Sequence, residues 1–475
     1  MGLPEGFSRV TDFPKQDRET LRFLAARVAE LAARPIEKEK EQLWRQHNAL
    51  EPTRPLIFCD PENGWNEIIP PSALTCQHDL ARQWEFTLRK EIFWGEQMND
   101  DRVIRLVFDV AHVYTETDWG MHETRIGGEN GGSYGWDAPL KDFSDFDKLH
   151  FPVITVDWEK TNSRLSLAQD IFEGMLEVRL VTPWWWTLGL TQMYAYLRGL
   201  KQMLMDFIQY PEDMHRLMAF LRDGTLARLN FLERNNLLSR NTGGDYVGSG
   251  GFGWTGELEG HGNDTITKEM WGFAEAQETI GVSPKMFAEF ILPYQIQILE
   301  RFGLNCYGCC EPLDKKVDMV LEAIPNVRRM SMSPKANVRR GAEAIGRRCI
   351  FSWKPNPTML SMESWDPKQA EGLLREEDGH DVDDDRQPDQ REEQRQVRVR
   401  RRREWAGRRG RNDRPRRRGR RPAGHGPRCR PRRPGSGPAR PGARRSSPAT
   451  GGTPPRQPRP SSQLARRVRP RSRPA

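Results

Sequence analysis

Apolar side chains recur along this chain in two rhythms. Over residues 18–34 they return every three or four positions (Leu21, Phe23, Leu24, Val28, Leu31), the spacing of one helix face. Pro35 stops that helix, and a second, charged helix is predicted over 37–47. The rhythm then changes. A short apolar run at 54–59 (RPLIFC) ends in a polar loop at 60–66, and similar runs follow at 103–110, 153–157, 177–182, 241–247, 303–307, 327–332 and 349–353. Runs this short predict buried strands, each delivering its loop at the C-terminal end. Helical stretches separate several of them. One spans 193–209; after Pro211, Met214, Leu217, Met218 and Leu221 keep i, i+3, i+4, i+7 spacing. Ser283-Pro284 opens another that ends near Gly303, and Ser333-Pro334 with Gly346 brackets the next. Strand, polar loop, helix, strand is the order of parallel α/β architecture.

Composition divides the chain in two. Residues 376–475 hold 31 Arg, 15 Pro and 11 Gly with no Ile, Phe, Tyr, Met or Lys, and carry a net charge of +19. Such a segment buries too little apolar surface to offset its ordering entropy, so disorder is expected. The same bias is what a GC-rich gene read out of frame near codon 375 would give; a genuine basic tail is the alternative. Residues 1–375 are acidic, with 43 basic and 54 acidic side chains, so the overall +8 belongs to the tail. Nucleic-acid binding through that tail would rest on phosphate charge alone, since Trp405 is its one aromatic residue, and is not expected.

The acidic body suits one large α/β domain, and barrels of this kind need about 250 residues. The fold expected is a (β/α)8 TIM barrel over 51–375, preceded by an N-terminal helical extension over 1–50. The strand at 349–353 and a helix from Asp366-Pro367 to about Arg375 leave one strand and helix still to come, and the tail supplies neither. No N-terminal signal or membrane-length apolar run occurs, which with the free-thiol pattern predicts a cytoplasmic setting.

Candidate chemistry gathers at the predicted strand ends. Residues 305–312 (NCYGCCEP) follow an apolar strand. Cys306, Cys309 and Cys310 stand at i, i+3 and i+4, so a tight Gly-containing loop can place two sulfurs on one zinc ion, with Glu311 nearby. A catalytic zinc takes about three protein ligands, so another must come from elsewhere. A cluster of buried free thiols is the metal-free alternative. Residues 248–253 match GxGxxG, but Trp254-Thr255-Gly256 and Gly260-His261-Gly262 continue the loop where a dinucleotide fold needs a helix. A flexible active-site loop is expected instead, with Asp245 and Tyr246 before it as substrate contacts. Lys354 and Asn356 in 351–357 (FSWKPNP) suit an anionic substrate group. His112, near Asp109, and Glu62 suit acid–base work. Trp185, in the run Pro183-Trp184-Trp185-Trp186, offers an aromatic wall.

Several stretches together resemble the uroporphyrinogen decarboxylase superfamily: 44–50 (WRQHNAL), 203–232, 273–284 (FAEAQETIGVSP), 299–313 (LERFGLNCYGCCEPL) and 351–357. The resemblance runs through residues 40–370 and implies the barrel fold. It also implies one of two activities. The decarboxylase branch, acting in porphyrin biosynthesis, carries an Arg-Gln-Ala-Gly-Arg motif that this chain lacks. The methyltransferase branch uses zinc to activate a thiol that accepts a methyl group from cobalamin on a small corrinoid partner protein. Zinc-dependent methyl transfer is therefore the activity expected, with porphyrin decarboxylation as the alternative. The branch's His-x-Cys-Gly strand end is replaced here by Cys306-Tyr307-Gly308-Cys309-Cys310-Glu311, Lys335 stands where tryptophan is expected, and the final Lys-Asp-x-His-Thr-like strand is absent.

Overall fold

Residues 12–128, 134–258, 260, 264–357 and 364–377 are described in the computed structural model of the protein. The chain divides into two units, 1–387 and 388–475, and every described residue belongs to the first. The expected basic tail, from residue 378 onward, lies outside the described residues.

The N-terminal rhythm folds as written. Helix α1 (Lys15–Ala32) buries Leu21, Leu24, Ala25, Val28 and Leu31, while Phe23 falls off that face and is exposed. Helix α2 (Pro35–Asn48) starts on a proline at its first turn. The buried face of α1 joins Leu80, Trp84 and Leu88 of the helix Asp79–Phe93, together with Phe108 and Phe172, in one apolar cluster.

Ten strands follow. β1 (Val107–Val110) pairs in parallel with β6 (Glu177–Leu180). β2 (Tyr114–Glu116) pairs antiparallel with β5 (Ile154–Val156), and β3 (Thr124–Gly127) with β4 (Tyr134–Asp137). The main sheet is parallel, ordered β10-β9-β8-β7, from β7 (Trp271–Ala274), β8 (Leu304–Tyr307), β9 (Val327–Met332) and β10 (Ile350–Trp353). Parallel strands alternating with helices are thus present. Among the described residues they form separate sheets of two and four strands, and an eight-stranded ring does not close.

Both faces of the main sheet are buried, as parallel sheets require. Ala274, Tyr307, Met330 and Met332 pack with Leu217, Met218, Phe287 and Ile298 of the flanking helices. Trp271, Phe273, Leu304 and Cys306 form the opposite face, joined by Val247 and Cys309.

Several expectations need correction. The run at 54–59 is not a strand. Ile57 N–H donates to Asp101 Oδ2 (2.7 Å), and Cys59 N–H donates to Asp100 Oδ2 (3.1 Å), so aspartates replace the ladder. The run at 153–157 does hold a strand, but in the antiparallel β2–β5 pair. Residues 241–247 are a turn plus one arm of a hairpin bridged between Tyr246 and Phe252. Four strands were not expected: β2, β3 and β4 of the antiparallel pairs, and β7, only four residues long and containing a glycine. The helix expected over 283–303 breaks into Pro284–Phe290 and Leu292–Leu299 just before Pro293, which has no N–H to continue the ladder. The helix expected from Ser333 begins later, at Val338, capped by Asn337, whose Oδ1 accepts from Arg340 N–H (2.8 Å).

Candidate functional site

The C-terminal ends of β8 and β10 bring three named residues together. Cys309 and Cys310 follow β8, and their sulfurs lie 3.5 Å apart. Lys354 follows β10, and its Nζ donates to Cys309 O (3.2 Å) and approaches Cys309 Sγ at 3.4 Å. A fourth group comes from the glycine-rich hairpin: Ser249 Oγ donates to Cys309 Sγ (3.2 Å) and accepts from Lys354. Cys309 is buried and Cys310 is exposed. The hydrogen bond from Cys309 is the main influence lowering the Cys310 thiol to about 7, with Lys354 assisting and burial opposing. The same contact, then burial, pushes Cys309 up, so its S–H persists.

The expected active-site loop begins as a hairpin packed on the sheet, while 261–262 of that loop lie outside the described residues. Ser249, Gly251, Phe252, Gly253, Trp254 and Thr255 are buried. Its glycines allow close approach to the inner face of the sheet. A Cβ on Gly248 (φ +65°) would stand 2.6 Å from Phe273 Cδ2 and 2.7 Å from Cys306 Sγ. One on Gly251 would stand 2.4 Å from the Arg329 guanidinium carbon.

Of the four metal donors proposed, two converge. The Cys309–Cys310 sulfur gap is one that two Zn–S bonds of about 2.3 Å can span. Cys306 is fully buried beneath Gly248, and desolvation raises its thiol. Both Glu311 oxygens are taken by backbone amides: Oε1 accepts from Ala276 N–H (2.8 Å) and Oε2 from Cys309 N–H (2.9 Å). Among the described residues no three His, Cys, Asp or Glu side chains group as a metal site. Two sulfurs fall short of a catalytic zinc's usual ligand number.

Glu275 and Glu278 were not named from the sequence. Glu275 follows β7, and its Oε2 accepts from Gln277 N–H (2.8 Å), one residue beyond the amide that holds Glu311. Burial first, then repulsion from Glu278 and Glu311, raises its acid well above the usual carboxyl range. Thr191 Oγ1 donates to Glu278 Oε2 (2.7 Å). Glutamate straight after a short apolar run was the available signal, and missing β7 hid it.

A cavity of about 130 Å³ holds another group of named residues, Trp185, Asp245 and Tyr246, beside Trp186, Trp271 and Phe273. Asp245 Oδ1 lies 3.8 Å from Arg105 and 3.9 Å from Arg179, while its buried Oδ2 has no hydrogen-bond partner among the described residues. Desolvation raises its pKa against the pull of both arginines. Gly248 also lines the cavity, so the hairpin joins it to the thiol pair within one residue, at Ser249.

The remaining candidates do not join the thiol cluster. His112 is buried, with Nδ1 2.6 Å from Thr182 Oγ1 and its ring 5.5 Å from Trp184; burial lowers its pKa. Glu62 lies exposed on the short turn Glu62–Gly64, and Asn356 is exposed beyond β10.

No protein-family model and no curated protein matches the chain. A solved structure, a methyltransferase from Methanosarcina mazei, is similar with a TM-score of 0.36 and 11% identity, covering 66% of this chain and 80% of that one. No helix among the described residues is long and apolar enough to cross a membrane.

Proposed function

We propose that this protein is a methyl-transfer enzyme in which the Cys310 thiolate is the nucleophile. The observation that carries the reading is the Cys309–Cys310 contact at 3.5 Å, with Lys354 and Ser249 held on Cys309. A thiolate is a soft nucleophile matched to a methyl carbon, and the Cys310 thiol, lowered to about 7, is more ionised at neutral pH than an ordinary thiol. Methyl as the group transferred comes from the superfamily resemblance; thiol chemistry comes from the geometry.

In the step proposed, a carbon–sulfur bond forms between the methyl carbon and Cys310 Sγ. The bond from methyl to donor breaks, and its electron pair leaves with the donor. Cys309 S–H stabilises the thiolate beforehand, and Lys354 with Ser249 orients Cys309. The donor class implied by the resemblance is a methylated corrinoid carried on a small partner protein.

The test is incubation with methylcobalamin followed by peptide mass spectrometry. One methyl group is expected on the Cys310 peptide of the wild type and none on Cys310→Ser. Methylation that persists at another residue in Cys310→Ser, or never reaches Cys310, would remove the reading.

A further inference from the structure

The cavity beside the hairpin combines two recognition elements. Its lining residues include the aromatic Trp185, Trp186, Trp271, Phe273 and Tyr246, together with Asp245. Trp186 meets Phe273 nearly edge-on, with ring centroids 5.5 Å apart and planes at 81°. Aromatic faces present negative potential and attract cations whose charge is spread over methyl groups. Asp245 adds a carboxylate whose buried Oδ2 has no partner among the described residues.

The neighbouring cations are engaged elsewhere. Arg179 holds Asp109 through Nε (2.9 Å) and Nη2 (3.1 Å), and Arg105 reaches Asp109 at 3.3 Å. Both meet Asp245 only through Oδ1, at 3.8 and 3.9 Å. Arg240, also in the lining, lies 3.2 Å from Glu269. An anionic ligand would therefore meet a carboxylate and aromatic faces with the arginines already paired. A cation meets both elements favourably. Size narrows the class further: a cavity of about 150 Å³ admits benzene, so about 130 Å³ suits a slightly smaller group.

We propose that this cavity binds a small methylated ammonium ion, its charge beside the Asp245 carboxylate and its methyl groups against the tryptophan and phenylalanine side chains. The proposal concerns binding, and it stands whether or not Cys310 transfers a methyl group.

The experiment is titration of the full chain with trimethylammonium, read by tryptophan fluorescence and calorimetry. tert-Butanol is the neutral control, because it has the same three methyl groups and one hydrogen-bond donor. Trimethylammonium is expected to bind about tenfold more tightly than tert-butanol. Asp245→Asn is expected to erase most of that preference. Equal binding of the two ligands, no binding of trimethylammonium, or an unchanged preference in Asp245→Asn overturns the proposal. The wild-type comparison decides it even where the variant fails to fold. Binding without methylation of Cys310 would leave this cavity assigned and remove only the methyl-transfer reading; methylation without binding would do the reverse.

Discussion

Arg329 on β9 and Asn48 at the end of α2, 281 positions apart, are joined by a 2.6 Å hydrogen bond from Nη2 to Oδ1 in a fully buried setting. Each also holds the glycine-rich hairpin. Arg329 donates to Phe252 O (3.0 Å) and Val247 O (3.3 Å), and Asn48 Nδ2 donates to Phe252 O (2.9 Å) and Trp254 O (2.8 Å). The pair thus ties the N-terminal helices, the hairpin and the main sheet at one point. Burying a guanidinium is unfavourable unless its N–H groups are satisfied; these oxygens take both Nη groups, while Nε has no partner among the described residues.

Asn48→Ala and Arg329→Met are each expected to cost about 1–3 kcal/mol, because each leaves buried polar groups without partners. The double variant should cost less than the sum, with a coupling of about 0.5–3 kcal/mol. Urea unfolding of the four proteins measures this. Strict additivity would show that the two residues do not act as one unit.

Gly248→Ala should destabilise the protein by about 1–3 kcal/mol, since its Cβ would press on Phe273 and Cys306. The positive φ adds strain. Gly281→Ala, where nothing lies within 4 Å, is the control and should stay within about 0.5 kcal/mol of the wild type. A harmless Gly248→Ala would mean that the hairpin does not sit tightly on the sheet.

Alkylation of Cys310 by iodoacetamide should rise with pH through a midpoint of about 7, against an ordinary thiol near 9.0. The thiolate is the reactive form, so reactivity is gained above the midpoint and lost below it. Lys354→Met and Cys309→Ser should each move the midpoint upward. A midpoint near 9 in the wild type would contradict the pairing of the two thiols.

His47 gives a pH dependence of stability. Burial first, then the charge of Arg329, lowers its pKa from 6.5 to about 4. The unfolded chain therefore takes up a proton before the folded one does. The resulting stability is fully present above pH 6.5 and declines as pH falls toward 4. Across that window His47→Gln should lose less stability than the wild type. Parallel curves would place the titration elsewhere.

Much of the candidate site was legible in the sequence. Cys309, Cys310 and Lys354 were named because they follow apolar runs, and those runs are β8 and β10. Asp245, Tyr246 and Trp185 were named separately and share a cavity. Ser249 was passed over because glycine-rich sequence reads as loop, while glycine's other use, letting backbone lie close against a packed surface, depends on a partner elsewhere in the chain.

The sequence by itself determined what local chemistry can determine. Apolar spacing placed α1 and most strands, proline and glycine placed many of their ends, and the charge imbalance separated the basic tail from the acidic body. Tertiary structure alone decided which surfaces meet. Aspartates, not a neighbouring strand, satisfy residues 57 and 59, and the hairpin covers the inner sheet face. Ser249 reaches Cys309 across 60 positions and Lys354 across 105. Periodicity reports a residue's own face, whereas these contacts depend on how distant faces are brought together, and no local pattern encodes that.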